Sequence, residues 1–337
     1  MRLLIVGGGP AAFAAARGYR DAGGDGEITL FTPELAVPYQ RPPLSKEFLR
    51  GELDEAELPI EDEGWYRRHG IEVRLGGEVE SLDPAARTLT LGTGETYAYD
   101  ACVLATGAEP SVLPIPGATE EGVLLLRSLA TARVLRDRAA TARTALVVGS
   151  GFIGCEAAAS LAMRGVSVTL QSDEDVAHAT RLGPEAGRRI QRWLEDLGVA
   201  LQLGQLVERL GEADLILLAG GAQPRAGLAQ AAGLTTHEGR IVVDAHMRTS
   251  ADGVYAAGDV VYAYNAAAQR HLAVEHWGEA LHMGEIAGRT IAGEDSQWDV
   301  APGFWSTIGE RTLKYAAWGD GFDETRLVED GDAWTIW

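Results

Sequence analysis

The feature that most constrains this chain is a segment that occurs twice. Leu3-Leu4-Ile5-Val6-Gly7-Gly8-Gly9-Pro10-Ala11-Ala12 runs from a short apolar stretch through a glycine turn into an Ala-rich segment, and Leu146-Val147-Val148-Gly149-Ser150-Gly151-Phe152-Ile153-Gly154 repeats that order. Gly7, Gly9 and Ala12 take the three small-residue positions in the first copy, and Gly149, Gly151 and Gly154 take them in the second. Glycine there permits a tight turn and lets backbone N–H groups at a helix N-terminus approach a pyrophosphate. Each copy continues into a second apolar stretch, Ile28–Phe31 and Val166–Leu170. Strand, helix and strand within about 30 residues is a βαβ unit, whose crossover helix makes the strands parallel. One glycine pattern is weak evidence; two copies, each after a strand and opening a helix, predict two dinucleotide sites.

The predicted fold class is α/β: two Rossmann-like domains, each a three-layer ββα sandwich, plus a truncated α+β C-terminal segment. A length of 337 residues suits two or three domains. Pro110 to Gly117, with three prolines, reads as a linker. The expected division is residues 1–116 and 241–300 for a discontinuous first domain, 117–240 for the second and 301–337 for the C-terminal segment. Val79 to Asp100 alternates around turn signals at Asp83-Pro84 and Gly92-Thr93-Gly94, as an antiparallel meander would. Ala101–Gly107 and Asp214–Gly221 read as buried strands ending in glycine, and the acidic stretch from Asp54 to Glu63 reads as a solvated face.

The net charge of −20 argues against a nucleic-acid partner, which needs a cationic face. No apolar run reaches the roughly 18 residues of a membrane span, so no membrane partner is expected and cytoplasm is the default location. Cys102 and Cys155 lack metal-ligand spacing and sit in apolar surroundings, as buried small hydrophobes do. No metal is expected. Of 29 basic residues only Lys46 and Lys314 are lysines, so a lysine at position 46 points to a need for a compact ammonium.

Further segments carry a family resemblance. Leu104-Ala105-Thr106-Gly107-Ala108, Ala219-Gly220-Gly221-Ala222-Gln223-Pro224 and Thr249 to Asp259, with Gly258 before the aspartate, appear in that order after and between the two glycine loops. Together the five motifs resemble the FAD-dependent pyridine-nucleotide oxidoreductases with a glutathione-reductase-like fold. Tyr39-Gln40-Arg41-Pro42-Pro43-Leu44-Ser45-Lys46, Val274-Glu275-His276-Trp277 and Phe304-Trp305-Ser306 resemble segments of the ferredoxin-reductase branch, which includes the putidaredoxin and rubredoxin reductases. The resemblance implies an enzyme that moves a hydride from NAD(P)H to FAD and passes electrons on, with no redox cysteine pair. It implies FAD contacts from Gly7, Gly9, Pro10, Ala11, Ala12, Glu34, Arg41, Lys46, Val79, Ala105, Thr106, Gly107, Gly258, Asp259, Glu275, His276 and Trp277. It implies NAD(P)H contacts from Gly149, Gly151, Phe152, Ile153, Gly154, Ser172, Gly220 and Gly221. Lys46 and Glu156 become the candidate catalytic residues, joined by a salt bridge. Trp277 and Trp305 fit a place beside the flavin or a place in the core equally well.

The sequence departs from the family pattern in places. The ribose-binding acid expected after the first unit's second strand is displaced to Glu34, in Phe31-Thr32-Pro33-Glu34. In the second unit the matching position is Ser172; Asp173, Glu174 and Asp175 restore negative charge there, which leans the reading towards NADH. Val199 to Asp214 is short for a strand meander, and the C-terminal segment is small. A ferredoxin or rubredoxin is the expected acceptor, with Arg67, Arg68, Arg311 and Lys314 as candidate docking cations. The alternatives are an oxidase or quinone-type reductase with a small-molecule acceptor, and a flavin-bearing redox sensor. A monomer and a homodimer are equally compatible with the sequence.

Overall fold

The computed structural model describes residues Met1–Trp337. Its contacts divide the chain into two compact units: Met1–Pro42 with Asp54–Glu109 and Ala222–Phe304, and Pro43–Leu53 with Pro110–Gly221 and Trp305–Trp337.

The first unit is built on a parallel sheet in which Arg2–Val6 lies between Ala101–Leu104 and Glu27–Thr32, with Val254–Ala256 and Ile71–Leu75 at the edges. Leu3, Leu4, Ile5 and Val6 are all buried, as expected for a parallel strand covered on both faces. The helix Pro10–Asp21 follows the first strand directly, and Trp277–Ile291 crosses it. The crossing is close because Gly284 and Gly288 face helix backbone: a Cβ on Gly284 would lie 2.3 Å from the Ala11 carbonyl oxygen, and one on Gly288 would lie 2.2 Å from that of Ala15. The expected meander is present as the antiparallel strands Val79–Asp83, Thr88–Leu91 and Thr96–Ala98.

The second unit repeats the plan. Thr144–Val148 lies between Ser167–Gln171 and Leu215–Leu218, with Ala200–Gln202 and Val123–Leu125 outside them, all parallel. The helix Phe152–Met163 follows the central strand, and Ala179–Asp196 is kinked at Gly183-Pro184, where the proline breaks the backbone ladder. Only Ala200–Gln202 forms a strand between Val199 and Asp214, so the extended meander is missing, as the shortness of that stretch predicts. Pro43–Leu53 packs into this unit: Arg164 Nη1 donates to the carbonyls of Leu49 (2.7 Å) and Arg136 (3.1 Å), and the Arg136 guanidinium lies over the Phe48 ring. Later in the chain Gly303–Ile308 pairs with Arg311–Ala316, and Leu327–Asp330 with Ala333–Ile336.

The division between units falls at 221/222, whereas the sequence reading places it at 240/241. Backbone pairing is the reason: Ile241–Val243 runs parallel to Val261–Ala263, and Thr236–His237 pairs with Arg240–Ile241, which ties this stretch to the first unit.

Candidate functional site

In the first unit the glycine turn leaves a cradle at a helix N-terminus. Gly9 is the N-cap of Pro10–Asp21 and has open space where a Cβ would stand. Pro10 occupies the first helical turn, where its missing N–H leaves nothing unsatisfied. Gly7, at φ +138°, lies so close to the next strand that a Cβ would meet the Ala105 carbonyl oxygen at 2.1 Å. Ala11 and Ala12 are buried behind the turn, and a Cβ on Gly258 would be 3.0 Å from that of Ala11, which brings the segment carrying Asp259 against the same helix start. Dipole, free N–H groups and room for a pyrophosphate therefore coincide, so the residues fit a dinucleotide.

The polar side chains around that cradle hold one another. Glu34 accepts from the Tyr39 hydroxyl (2.6 Å) and from Arg41 Nη2 (2.6 Å). Burial works against the charge on Arg41, but Tyr39, Glu34 and Asp259 outweigh it and hold its pKa above the ordinary value. Thr106 Oγ1 donates to the Arg225 carbonyl (2.7 Å), and the Arg225 N–H donates to that of Gly107 (2.8 Å), which fixes the turn after Ala101–Leu104. Glu275 is ion-paired with Arg240, the His276 ring leans on Phe304 at 4.6 Å, and Trp277 begins its helix half-buried. Val79 opens the meander, half-buried.

The second cradle follows the same rules. Gly149 (φ +112°) would drive a Cβ into the Ala219 carbonyl oxygen at 2.4 Å, and Gly154 into that of Gly149 at 2.0 Å. Gly151 is the N-cap of Phe152–Met163 and meets nothing, leaving room for a pyrophosphate here as well. Ile153 is exposed on the first turn. Ser172, at the end of the second strand, is buried beside Ser150, whose hydroxyl stands 2.9 Å from both Ser172 Oγ and Glu174 Oε2. Gly220 and Gly221 follow the strand Leu215–Leu218, Gly221 at φ +99° with its carbonyl accepting from the Ser111 N–H.

Lys46 and Glu156 also lie in the second unit. Lys46 Nζ is 2.6 Å from Glu156 Oε2, and both side chains are about 7% exposed. The Ser45 hydroxyl donates to the same oxygen (2.5 Å), and the Ser306 hydroxyl donates to Oε1 (2.7 Å). Ser160 Oγ donates to the Ser45 carbonyl at 2.7 Å, fixing the backbone that carries both Ser45 and Lys46. A buried ion pair persists only when its remaining hydrogen-bonding capacity is filled. Here three donors serve one carboxylate, and Lys46 keeps N–H capacity for a further acceptor. Chemically the cluster can hold an ammonium in one place and present it without an exposed counter-charge.

Other expected residues are placed differently. Arg67 pairs with Glu63 (3.5 Å), Arg68 with Asp62 (3.8 Å) and Arg311 with Asp196 (2.8 Å), so only Lys314 among the docking candidates lacks a nearby carboxylate. Arg67 and Arg68 find their acidic neighbours at the start of their own helix, and Arg311 finds its neighbour at the end of the helix Ala179–Asp196. Trp305 is 50% exposed and therefore not a core residue. Cys102 and Cys155 are free and buried, and burial pushes the Cys102 thiol up to about 12 and the Cys155 thiol higher, so neither is a thiolate near neutral pH. Sequence reasoning missed Ser45 and Ser160 as supports of the ion pair and Ser150 as the link to Glu174. Serine in a small-residue segment carries no distinguishing signal.

A family model described as pyridine nucleotide-disulphide oxidoreductase matches residues 1–284. The chain belongs to that family. Like its other members it is an oxidoreductase, although its two cysteines, isolated and protonated, offer no disulphide. It is 34% identical over 331 residues to a rubredoxin-NAD(+) reductase of Pseudomonas putida, covering 93% of this chain and 86% of that protein. It is 33% identical over 331 residues to the ferredoxin--NAD(+) reductase subunit of a benzene 1,2-dioxygenase system of the same species, covering 93% and 80%. Among solved structures it is similar to a covalent putidaredoxin reductase–putidaredoxin complex, with TM-score 0.93, 27% identity, and 98% and 84% of the two chains covered. No helix is long and apolar enough to cross a membrane.

Proposed function

We propose that this oxidoreductase binds FAD at the Gly7–Ala12 cradle, takes a hydride from NADH held at the Gly149–Gly154 cradle, and passes electrons to an iron–sulfur protein of the ferredoxin or rubredoxin type. The observation that carries this reading is the combination of two fitted cradles with two buried, protonated cysteines, which leaves no dithiol to take electrons from a flavin. The relatives' names, rubredoxin and ferredoxin reductases, support the acceptor class.

When bound, FAD supplies the hydride acceptor and the means to deliver electrons singly. The chain supplies binding, orientation and charge. The helix N-termini at Gly9 and Gly151 receive the pyrophosphates; Asp259 and Glu34, balanced by Arg41, are the acids offered to the ribityl and ribose hydroxyls. Glu156 fixes Lys46, whose ammonium favours negative charge developing at the atom it touches. No side chain acts as a nucleophile, and positioning supplies most of the rate.

A second reading, with a small-molecule acceptor such as oxygen or a quinone, gains from the pairing of Arg67, Arg68 and Arg311 with carboxylates. Stopped-flow mixing of the anaerobic yellow protein with NADH tests the proposal. Bleaching within a second and cytochrome c reduction that depends on added ferredoxin or rubredoxin support it; bleaching over minutes removes the enzymatic reading. Oxygen or quinone consumption without the iron–sulfur protein selects the second. Asp259→Ala is expected to lose FAD during purification, and a fully loaded variant refutes its assignment.

A further inference from the structure

The second cradle contains a charge that its glycine pattern does not account for. Ser172 stands where a dinucleotide fold of this kind commonly places a carboxylate on the adenosine ribose, and it is uncharged. Two residues on, Glu174 is held by four donors from the chain. Oε2 accepts from the Ser150 hydroxyl (2.9 Å) and the His178 N–H (3.2 Å), and Oε1 from the Thr180 hydroxyl (2.9 Å) and N–H (3.4 Å). Ser172 Oγ accepts from the Glu174 N–H (3.3 Å) and lies against Ser150. One end of this network is therefore the middle residue of Gly149-Ser150-Gly151, and the other is a carboxylate that cannot swing away. Asp173 and Asp175 flank it but are exposed.

We infer that Glu174 sets the coenzyme choice: its immobilised charge beside the glycine loop disfavours a 2′-phosphorylated dinucleotide and admits the uncharged ribose of NADH. The inference rests on the proposed function, since it assigns specificity to the nucleotide site named there. Burial opposes the charge on Glu174, but the hydrogen bonds from Thr180, Ser150 and His178 outweigh it and hold its pKa below the ordinary carboxylate value. The carboxylate is thus ionised near neutral pH, where a 2′-phosphate is charged as well. Because its lone pairs are engaged, Glu174 acts by field and not by bonding the ribose. His178 supplies no countercharge: its ring, tilted against Phe152 with centroids 4.1 Å apart, is buried, and burial brings its pKa down to about 4. The nearby cation is Arg181, whose guanidinium lies over Phe152, 6.0 Å from the ring centroid. With Glu174 neutralised, the charges left there are Arg181 and the exposed, screened Asp173 and Asp175, and the site turns towards NADPH.

The test is kcat/KM for NADH and for NADPH, measured on the FAD-loaded protein with ferricyanide as acceptor. Glu174→Gln is expected to raise the NADPH-to-NADH ratio of kcat/KM about tenfold, the size of one unscreened like-charge contact at a partly exposed site. Adding Arg181→Ala removes most of that gain. Asp173→Asn, an equal change in net charge, moves the ratio less than about twofold because that side chain is exposed and screened. A helix-capping role alone would lower both coenzymes equally and leave the ratio unmoved. An unchanged ratio in Glu174→Gln overturns the inference, as does an equal shift in Asp173→Asn. Should Gln not fit among four donors, Glu174→Ser, small and uncharged, gives the same reading. Reduction of the unaltered protein by neither coenzyme overturns the proposed function and this inference together, whereas an unmoved ratio in an active enzyme sinks only the latter.

Discussion

The Ser306 hydroxyl donates to Oε1 of Glu156 at 2.7 Å, and neither residue touches water to any extent. Removing it leaves a buried carboxylate oxygen without its donor. Ser306→Ala is expected to lower stability by about 1–3 kcal/mol in urea titration, and the conservative Ser306→Thr to recover part of it. An alanine variant as stable as the parent removes Ser306 from the support of the ion pair.

Glu156→Ala strands the Lys46 ammonium in a buried place. The expected loss is about 3–5 kcal/mol, with flavin reduction slowed at least about tenfold and FAD retained. The double variant Lys46→Met, Glu156→Leu is expected to regain most of the stability and none of the rate. Recovery of the rate would take the pair out of the chemistry.

The two glycines of the first cradle separate folding from binding. Gly9→Ala meets no protein atom within 4 Å, so the variant should fold normally yet lose flavin, because its Cβ occupies space the pyrophosphate needs. Gly7→Ala drives a Cβ to 2.1 Å from the Ala105 carbonyl oxygen at a φ of +138°, and should lower the melting temperature even without flavin. Thermal unfolding and the 450 nm absorbance of both variants check this; a fully yellow Gly9→Ala protein would displace the flavin from this turn.

His178 makes stability depend on pH. Its folded pKa, about 4, lies below the ordinary 6.5, so the unfolded chain binds the proton more readily. Stability from the neutral ring is fully present above pH 6.5 and is lost as pH falls towards 4. Between pH 7.5 and 5 the parent should lose about 2 kcal/mol more than His178→Gln in urea titrations at the two pH values. Parallel losses would show that the ring does not titrate as its burial demands.

Both glycine loops and their strands were legible in the sequence because a strand, a turn that only glycine tolerates and a helix start leave a local, ordered signature. Gly7, Gly9, Gly149 and Gly151 stand where that signature puts them. The Lys46–Glu156 contact, 110 positions apart in the chain, came from the resemblance alone, and the structure places the two atoms 2.6 Å apart. Its serine supports could not be read, since Ser45, Ser160 and Ser306 look like any small polar residue until the fold brings them together. The surroundings of Arg67, Arg68 and Arg311 could not be read for a related reason: a cation is visible in sequence, but the acid four, six or more than a hundred positions away that pairs with it is not marked as its partner. The boundary after Gly221 escaped because a pairing between residues 241–243 and 261–263 has no local mark.

The crossing of Pro10–Asp21 with Trp277–Ile291 sets an order of events during synthesis. The helix that flanks the first glycine turn waits, with the face around Ala11 and Ala15 uncovered, until Gly284 and Gly288 leave the ribosome and seat on it. The nascent protein is therefore expected to capture its flavin late, after most of the chain has emerged, and to depend on chaperones during the interval.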